Sequence, residues 1–412
     1  MKNQDKNFWS SPWSYKQGFL IAFTLPLLGL LLGIILRGAS INIPVFPYNM
    51  IILVGFLLLI FILSFMYRDK SMIRFLSSIP AAVSSIVVFT LIVLLMGVIP
   101  QQPSMHKWVT TIGLNHILHS GIFIISFIYL VTILSFTTFK RMIPFKWRNL
   151  SFILNHAGLL IVLTGGVMGT ADMYRLKMVC EYNNPVWFGT DKDGKQFELP
   201  LALELQKFDI EYYEPEIVII DNTTQEIKKV KSKPDLFVEF GKKIELNNGF
   251  TIEVDTFYLH TFESNQKFYP VESIGSTQAA KIKVIQTDNK KEIASGWISA
   301  GSFLQNPRML KASDISFALA SPKPKKYSSE FKLYSPNKEP HLITLEVNKP
   351  FRCNGWKLYQ LGYDDNKGKW SEYSVIEAIK DPWLPFVYIG FIMLIVGSLF
   401  LIWQGQKSNK NG

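Results

Sequence analysis

Six stretches of the chain are almost wholly apolar: residues 19–36, 50–66, 81–99, 119–138, 151–171 and 385–403. Each is about long enough to cross ~30 Å of hydrocarbon as a helix. Between the last two lies a polar stretch of some 210 residues, in which the apolar positions are short and alternating. Segments 197–205, 217–220, 236–240, 250–254 and 342–347 read as strands. Turn chemistry separates them at Asp193-Gly194, Asp221-Asn222 and Asn247-Asn248-Gly249. No long amphipathic helical pattern interrupts this region. The pattern predicts an α-helical integral membrane protein of six transmembrane helices. A large, mostly antiparallel β domain, a sandwich or barrel-like sheet, is inserted between helices 5 and 6. At its length it can bury a core as one domain or as two small lobes. The stretch 321–340, with Pro322, Pro324, Pro336 and Pro340 among Lys and Ser, reads as an exposed connection. The first apolar run closes on Ile34, Ile35, Leu36 and Arg37 with no small-x-small cleavage pattern, so it is expected to be a retained helix.

Charge orients these segments. Lys and Arg number three in 1–18, three in 67–80, four in 139–150 and two in 404–412. The alternate short connections carry one each, Arg37 and Lys107. The positive-inside rule therefore places both termini in the cytoplasm and residues 172–384 outside a cytoplasmic membrane. Residues 172–384 hold 29 Lys+Arg against 30 Asp+Glu, so the net charge of +11 sits almost entirely on the membrane flanks. That excess reports orientation and attraction to anionic lipid, and nucleic acid is not an expected partner. Trp9, Trp13, Trp108, Trp147, Trp383 and Trp403 lie at or near the membrane edges and read as interfacial belts.

The candidate chemistry is sparse. Two cysteines, Cys180 and Cys353, both fall in the outer region, where one disulfide is open to them. Two unpaired small apolar residues is the equal alternative. Neither CxxC nor CxxCH occurs, so the chain carries no c-type haem of its own. Among six histidines, His260 and His341 have no ligand-like spacing and read as polar surface residues, and His106 lies in an outer loop. His156 is different. It lies about one and a half turns into the fifth apolar run, where an ionisable group costs a few kcal/mol unless it is paired. A neutral imidazole there can be a haem axial ligand. Ala157, Gly158, Gly165, Gly166 and Gly169 would let a helix or a flat macrocycle approach. A helix–helix hydrogen bond, with Asn155 as a local partner, is the equal alternative. His116 and His119, spaced i, i+3 at the start of the fourth run, would share one helix face. They could bind a metal, face a porphyrin, or simply be wetted.

From about residue 75 onward the layout resembles the ResB family, also called CcsB, of System II cytochrome c maturation. Three stretches carry the resemblance. Asn155, His156, Gly158, Leu159 and Leu160 running into Thr164-Gly165-Gly166 is similar to the family's third core helix. Asn348, Pro350, Gly355, Tyr359 and Gln360 are similar to its "N-x-P…G-x-x-x-Y-Q" strand pair. Asp381-Pro382-Trp383 through Pro385 and Gly390 is similar to its entry into the last helix. On this reading 1–70 holds two extra N-terminal helices, 71–171 the three-helix core, 172–384 the β domain, and 385–412 the final helix and tail.

The resemblance implies haem handling. The chain would be a non-autonomous subunit of a holocytochrome c synthase, acting with a CcsA-type partner that carries the WWD signature absent here. Together they would present b-type, non-covalently held haem to CxxCH apocytochrome c, with thiol-reducing proteins as further partners. His156 carries over as the haem ligand, and so as the metal-binding residue; His116 and His119 are secondary candidates. The competing class is a quinone-linked b-type haem electron-transfer protein with ligands from His116 or His119 and His156. It is disfavoured because those positions approach opposite membrane faces. A partner-binding anchor would not need a buried histidine. A transporter would show a matched pair of broken helices, and His156 is the one clearly intramembrane ionisable group.

Overall fold

The structure is a computed structural model that describes residues 11–102, 106–228, 236–246, 249–336 and 338–408. Trp9 and the Asn247-Asn248 turn positions lie outside the described residues. The chain divides into two compact units, residues 1–173 with 381–412, and residues 174–380.

The first unit is helical: α1 (Tyr15–Ile35), α2 (Tyr48–Met66), α3 (Ser71–Leu76), α4 (Ile79–Val98), α5 (Lys107–Thr111), α6 (Gly121–Met142), α7 (Leu150–Asp172) and α8 (Leu384–Ser408). Among the described residues, six helical segments are long and apolar enough to cross a membrane. Local chemistry sets the helix starts. Ser120 accepts from the Phe123 N–H to cap α6, and Asp381 Oδ1 accepts from the Trp383 and Leu384 N–H groups ahead of α8. Glycine sets the crossings. A Cβ on Gly29 of α1 or on Gly121 of α6 would run into the other's backbone, the latter at 2.7 Å from the Gly29 carbonyl oxygen. Such close approach lets the two helices pack backbone to backbone. Side chains from α1, α4, α6 and α7 then share one core, with Ala22, Val88, Phe127 and Leu160 buried in it. The two N-terminal helices are thus packed into the helical unit.

The second unit is β throughout, apart from a single 3-10 turn at Gly368–Trp370 among the described residues. Its strands are β1 (Tyr174–Glu181), β2 (Val186–Thr190), β3 (Gln196–Tyr212), β4 (Ile217–Asp221), β5 (Lys243–Leu246), β6 (Phe250–Ser264), β7 (Lys267–Pro270) and β8 (Thr277–Gln286). There follow β9 (Glu292–Ser299), β10 (Leu310–Ala312), β11 (Ile315–Leu319), β12 (Pro324–Ser335), β13 (Lys338–Glu346), β14 (Phe351–Cys353), β15 (Trp356–Tyr363) and β16 (Tyr373–Lys380). Eight of them form one sheet in the order β13-β12-β3-β2-β1-β16-β15-β14. Its edge strands β13 and β14 are consecutive in the chain and joined by the Glu346–Lys349 bridge, so the sheet is nearly closed. Alternation selects the inner face: Leu203, Leu205, Phe331, Leu345, Leu358 and Ile376 are buried together.

Strands β4 to β11 build a second lobe from a three-stranded sheet, β10-β11-β4, and a five-stranded one, β5-β6-β8-β9 with β7 on β6. These share another core, including Ile219, Ile252, Ile282 and Phe317. One lobe is therefore an insertion within the other. All strand pairs are antiparallel. Segment 236–240, expected as a strand, holds only an isolated bridge at Phe237.

Segment 321–340 is not an exposed connection. It forms all of β12 and the start of β13, with Phe331 and Leu333 in the core. Its prolines misled because each sits where a sheet tolerates one. Pro324 opens β12, Pro336 is in the turn, and Pro340 falls at a register shift on the edge strand.

Candidate functional site

His156 is the seventh residue of α7, about 9 Å along the helix from its first residue. Its Nδ1 is 2.9 Å from the Phe152 carbonyl oxygen, one turn back. A carbonyl only accepts, so Nδ1 carries the proton and donates. The ring stacks on Phe152 with centroids 3.7 Å apart and planes inclined by 20°. Nε2 has no hydrogen-bond partner among the described residues. One nitrogen is thus fixed by a backbone acceptor, and the other keeps its lone pair, which leaves it able to bind a metal. The Arg141 guanidinium, in the last turn of α6, lies 4.9 Å from the centroid of the same Phe152 ring.

The neighbours of His156 divide the faces of α7. Gly158, Gly165 and Gly169 receive the backbone or side chains of Gly390, Val387 and Trp383, so these small residues serve the α7–α8 crossing. Gly166 alone faces open space. Asn155 also belongs to the α8 side: its Oδ1 accepts from Ser398 Oγ, and its Nδ2 donates to Ser151 O. The helix–helix hydrogen bond therefore goes to Asn155, leaving His156 outside it. His156 heads the stripe with Leu160, Leu163 and Val167, which pack into the core shared with α6.

His116 and His119 lie in a 3-10 turn, Leu114–His119, that precedes α6. The backbone at His116 (φ −149°, ψ 57°) breaks the turn, so the expected shared helix face does not form. His116 Nε2 donates to Gly38 O at 2.7 Å, and His119 O accepts from Ile41 N. Both residues are thus tied to the α1–α2 connection. The Nδ1 atoms of His116 and His119 and the Oδ1 of Asn115 are buried without partners among the described residues. This turn and His156 stand at opposite ends of α6, whose 22 residues span about 33 Å. One macrocycle cannot join them.

The first unit also contains an ionisable group that sequence reasoning missed. Asp172, at the last position of α7, is buried and accepts from Phe46 N (2.8 Å), Asn49 Nδ2 (2.6 Å) and Trp383 Nε1 (2.6 Å). Asp172 is thus buried, whereas His156 is half-buried. Trp383 is 3% exposed and bonded to this carboxylate, so it is not an interfacial-belt residue; Trp108, Trp147 and Trp403 are exposed. The helical run of 151–171 had marked Asp172 only as a boundary.

In the β unit His341 is exposed on the edge strand. His260 is half-buried and has charged partners. Its Nε2 lies 3.3 Å from Lys369 Nζ and 4.0 Å from Glu272, and Lys369 Nζ is 2.6 Å from the same Glu272. Burial, then the Lys369 charge, hold the His260 imidazole below its usual pKa, and Glu272 only partly opposes them. Cys180 and Cys353 are free. The register shows why no bond joins them. Cys180 pairs with Ser374, which pairs with Tyr363, whereas Cys353 pairs with Trp356 at the other end of β15. Seven strand positions, about 23 Å, separate those rungs, against the ~7 Å limit for a disulfide. Burial pushes the Cys180 thiol up to about 12.

The residues here are compatible with haem: His156 Nε2 would hold the iron, and Arg141 would offer a cation to a carboxylate of the group. No second axial donor stands nearby among the described histidines. No group of three or more His, Cys, Asp or Glu able to hold a metal occurs among the described residues.

No curated protein matches the chain. The family model described as the ResB-like family matches residues 145–306 and 298–378, which include α7 with His156 and nearly the whole β unit. The chain belongs to the ResB-like family, the System II cytochrome c biogenesis proteins, and that membership suggests a role in cytochrome c biogenesis.

Proposed function

We propose that this protein is the membrane component of System II cytochrome c maturation that holds haem at His156, in complex with a CcsA-type partner. It lies in the cytoplasmic membrane with both termini inside and the β unit outside. The observation that carries the reading is the His156 ring, with Nδ1 fixed on Phe152 O and Nε2 unbonded. Phe152 orients the imidazole by stacking, and Arg141 offers a cation to a propionate carboxylate. The partner supplies the opposing ligand, consistent with the single nitrogen available here. Bound haem supplies the vinyl groups that form thioethers with the two cysteines of an apocytochrome CxxCH segment. An electron-transfer role with two haems fits less well, since the far end of α6 offers only His116 and His119 around a broken turn.

The test is to purify the chain with its partner and compare it with His156→Ala. The wild-type complex should show a b-type absorption spectrum. His156→Ala should lower haem retention and stop maturation while the protein still accumulates in the membrane, and added imidazole should restore part of both. His260→Ala and His341→Ala should leave haem content intact. Unchanged haem and maturation in His156→Ala would make this a packing histidine. Reporter fusions after residues 145, 250 and 408 should read in, out, in.

A further inference from the structure

The β unit contains a cleft of about 850 Å³ between its two lobes. One wall comes from the ends of β3 and β15 and the turn that follows β15. The other comes from β6, the start of β8 and the loop after β9. This is within the size range of binding sites. Three features of its lining point to the same occupant.

The first is an acceptor with nothing to accept. Gln278 is 5% exposed and lines the cleft, and among the described residues neither its Oε1 nor the buried Ser276 Oγ beside it has a hydrogen-bond partner. A buried amide oxygen left unpaired costs on the order of 1–3 kcal/mol, which a ligand N–H would recover. The second is charge. Asp209, Glu211, Glu214 and Asp365 line the cleft, and none of them forms an ion pair among the described residues. The lysines of the same lining are neutralised: Lys367 is 2.7 Å from Glu372 and Lys369 is 2.6 Å from Glu272. The cleft therefore presents uncompensated negative charge. The third is aromatic surface from Tyr212, Tyr363, Trp370 and Phe303, against which the aliphatic stems of cationic side chains can lie.

We propose that this cleft binds an extended polypeptide segment rich in Lys or Arg. Such a segment brings a backbone N–H to Gln278, ammonium or guanidinium groups to the carboxylates, and methylenes to the aromatic rings. A small polyamine lacks the amide, and an anionic macrocycle such as haem meets the wrong sign of charge. The assignment does not depend on His156 or on haem.

The full-length protein in a non-ionic detergent is titrated into two labelled peptides, one alternating Lys with Thr and one alternating Glu with Thr, and anisotropy is read. The Lys peptide should bind saturably and the Glu peptide should not. Reversing charge in the double variant Glu211→Lys, Glu214→Lys should weaken binding about tenfold or more. Gln278→Leu should weaken it about threefold or more with the carboxylates intact. Asp288→Lys, in the turn at the far end of β8, should leave it unchanged. Thermal melts confirm that each variant is folded, and the charge-reversed protein stands as the test if Gln278→Leu is not. No saturable binding, equal binding of both peptides, equal weakening by Asp288→Lys, or displacement of the peptide by haemin or by equimolar spermidine would each overturn the proposal.

Discussion

Two ionisable side chains of α7, the half-buried His156 and the buried Asp172, are treated in opposite ways. At Asp172 the carboxylate accepts from three donors contributed by the start of α2, its preceding connection and the approach to α8. At His156 one ring nitrogen is held by the helix's own backbone and the other is left open. A fully satisfied buried group fixes structure, because removing it strands its partners. A half-satisfied one retains capacity for a ligand and costs the fold little when removed. What separates the roles is the hydrogen-bond inventory.

Substitutions can break this comparison. Asp172→Ala leaves three donors without an acceptor and should cost roughly 3–5 kcal/mol, read as a large fall in the thermal midpoint of the detergent-solubilised protein. Gly158→Leu drives a side chain into the Gly390 backbone and should cost roughly 1–3 kcal/mol, loosening α8 from α7. Trp383→Phe keeps the ring and loses one bond to Asp172, for about 1–2 kcal/mol. His156→Ala should change stability by less than about 1 kcal/mol while lowering haem retention. A destabilisation as large as that of Asp172→Ala would mean that His156 is as structural as Asp172.

The smallest effects belong to the β unit. Maleimide should label the partly exposed Cys353 under native conditions and leave Cys180 untouched until unfolding. The depressed His260 pKa adds a pH dependence. The unfolded chain takes up the proton near the usual histidine value of about 6.5, and the folded chain takes it up only at lower pH. The stability this group contributes is present above that value and is lost as pH falls through it. The melting temperature should therefore drop more steeply below about pH 6.5 in the wild type than in His260→Gln.

Much of this was legible in the sequence. The six apolar runs and the alternating strands reflect periodicities of burial, which one chain displays by itself. His156 was legible because an ionisable residue amid Phe152, Ile153, Leu154 and Leu159 has no local excuse. Asp172 was not, since an acidic residue at the end of an apolar run looks like its boundary, and its donors lie 126, 123 and 211 positions away. The β12–β13 hairpin was hidden by prolines whose harmlessness depends on strand order. The partners of His260 come from Glu272 and Lys369, which become neighbours only once the smaller lobe folds against the larger. The kink at His116 is likewise set by the distant Gly38 carbonyl oxygen.

The Asp172–Trp383 bond has a consequence in time. The whole β unit is synthesised between its two partners, 211 residues apart. At roughly 5–20 residues per second, the ribosome needs about 10–40 s to deliver the second after the first. Until then the carboxylate has two of its three donors, both from segments made earlier. The clasp closes only on a chain that has been read through to its last helix. A truncated product is left with an underbonded acid at the end of a hydrophobic helix, which is the kind of defect that membrane quality control can recognise. One hydrogen bond thus registers that the approach to α8 has been made.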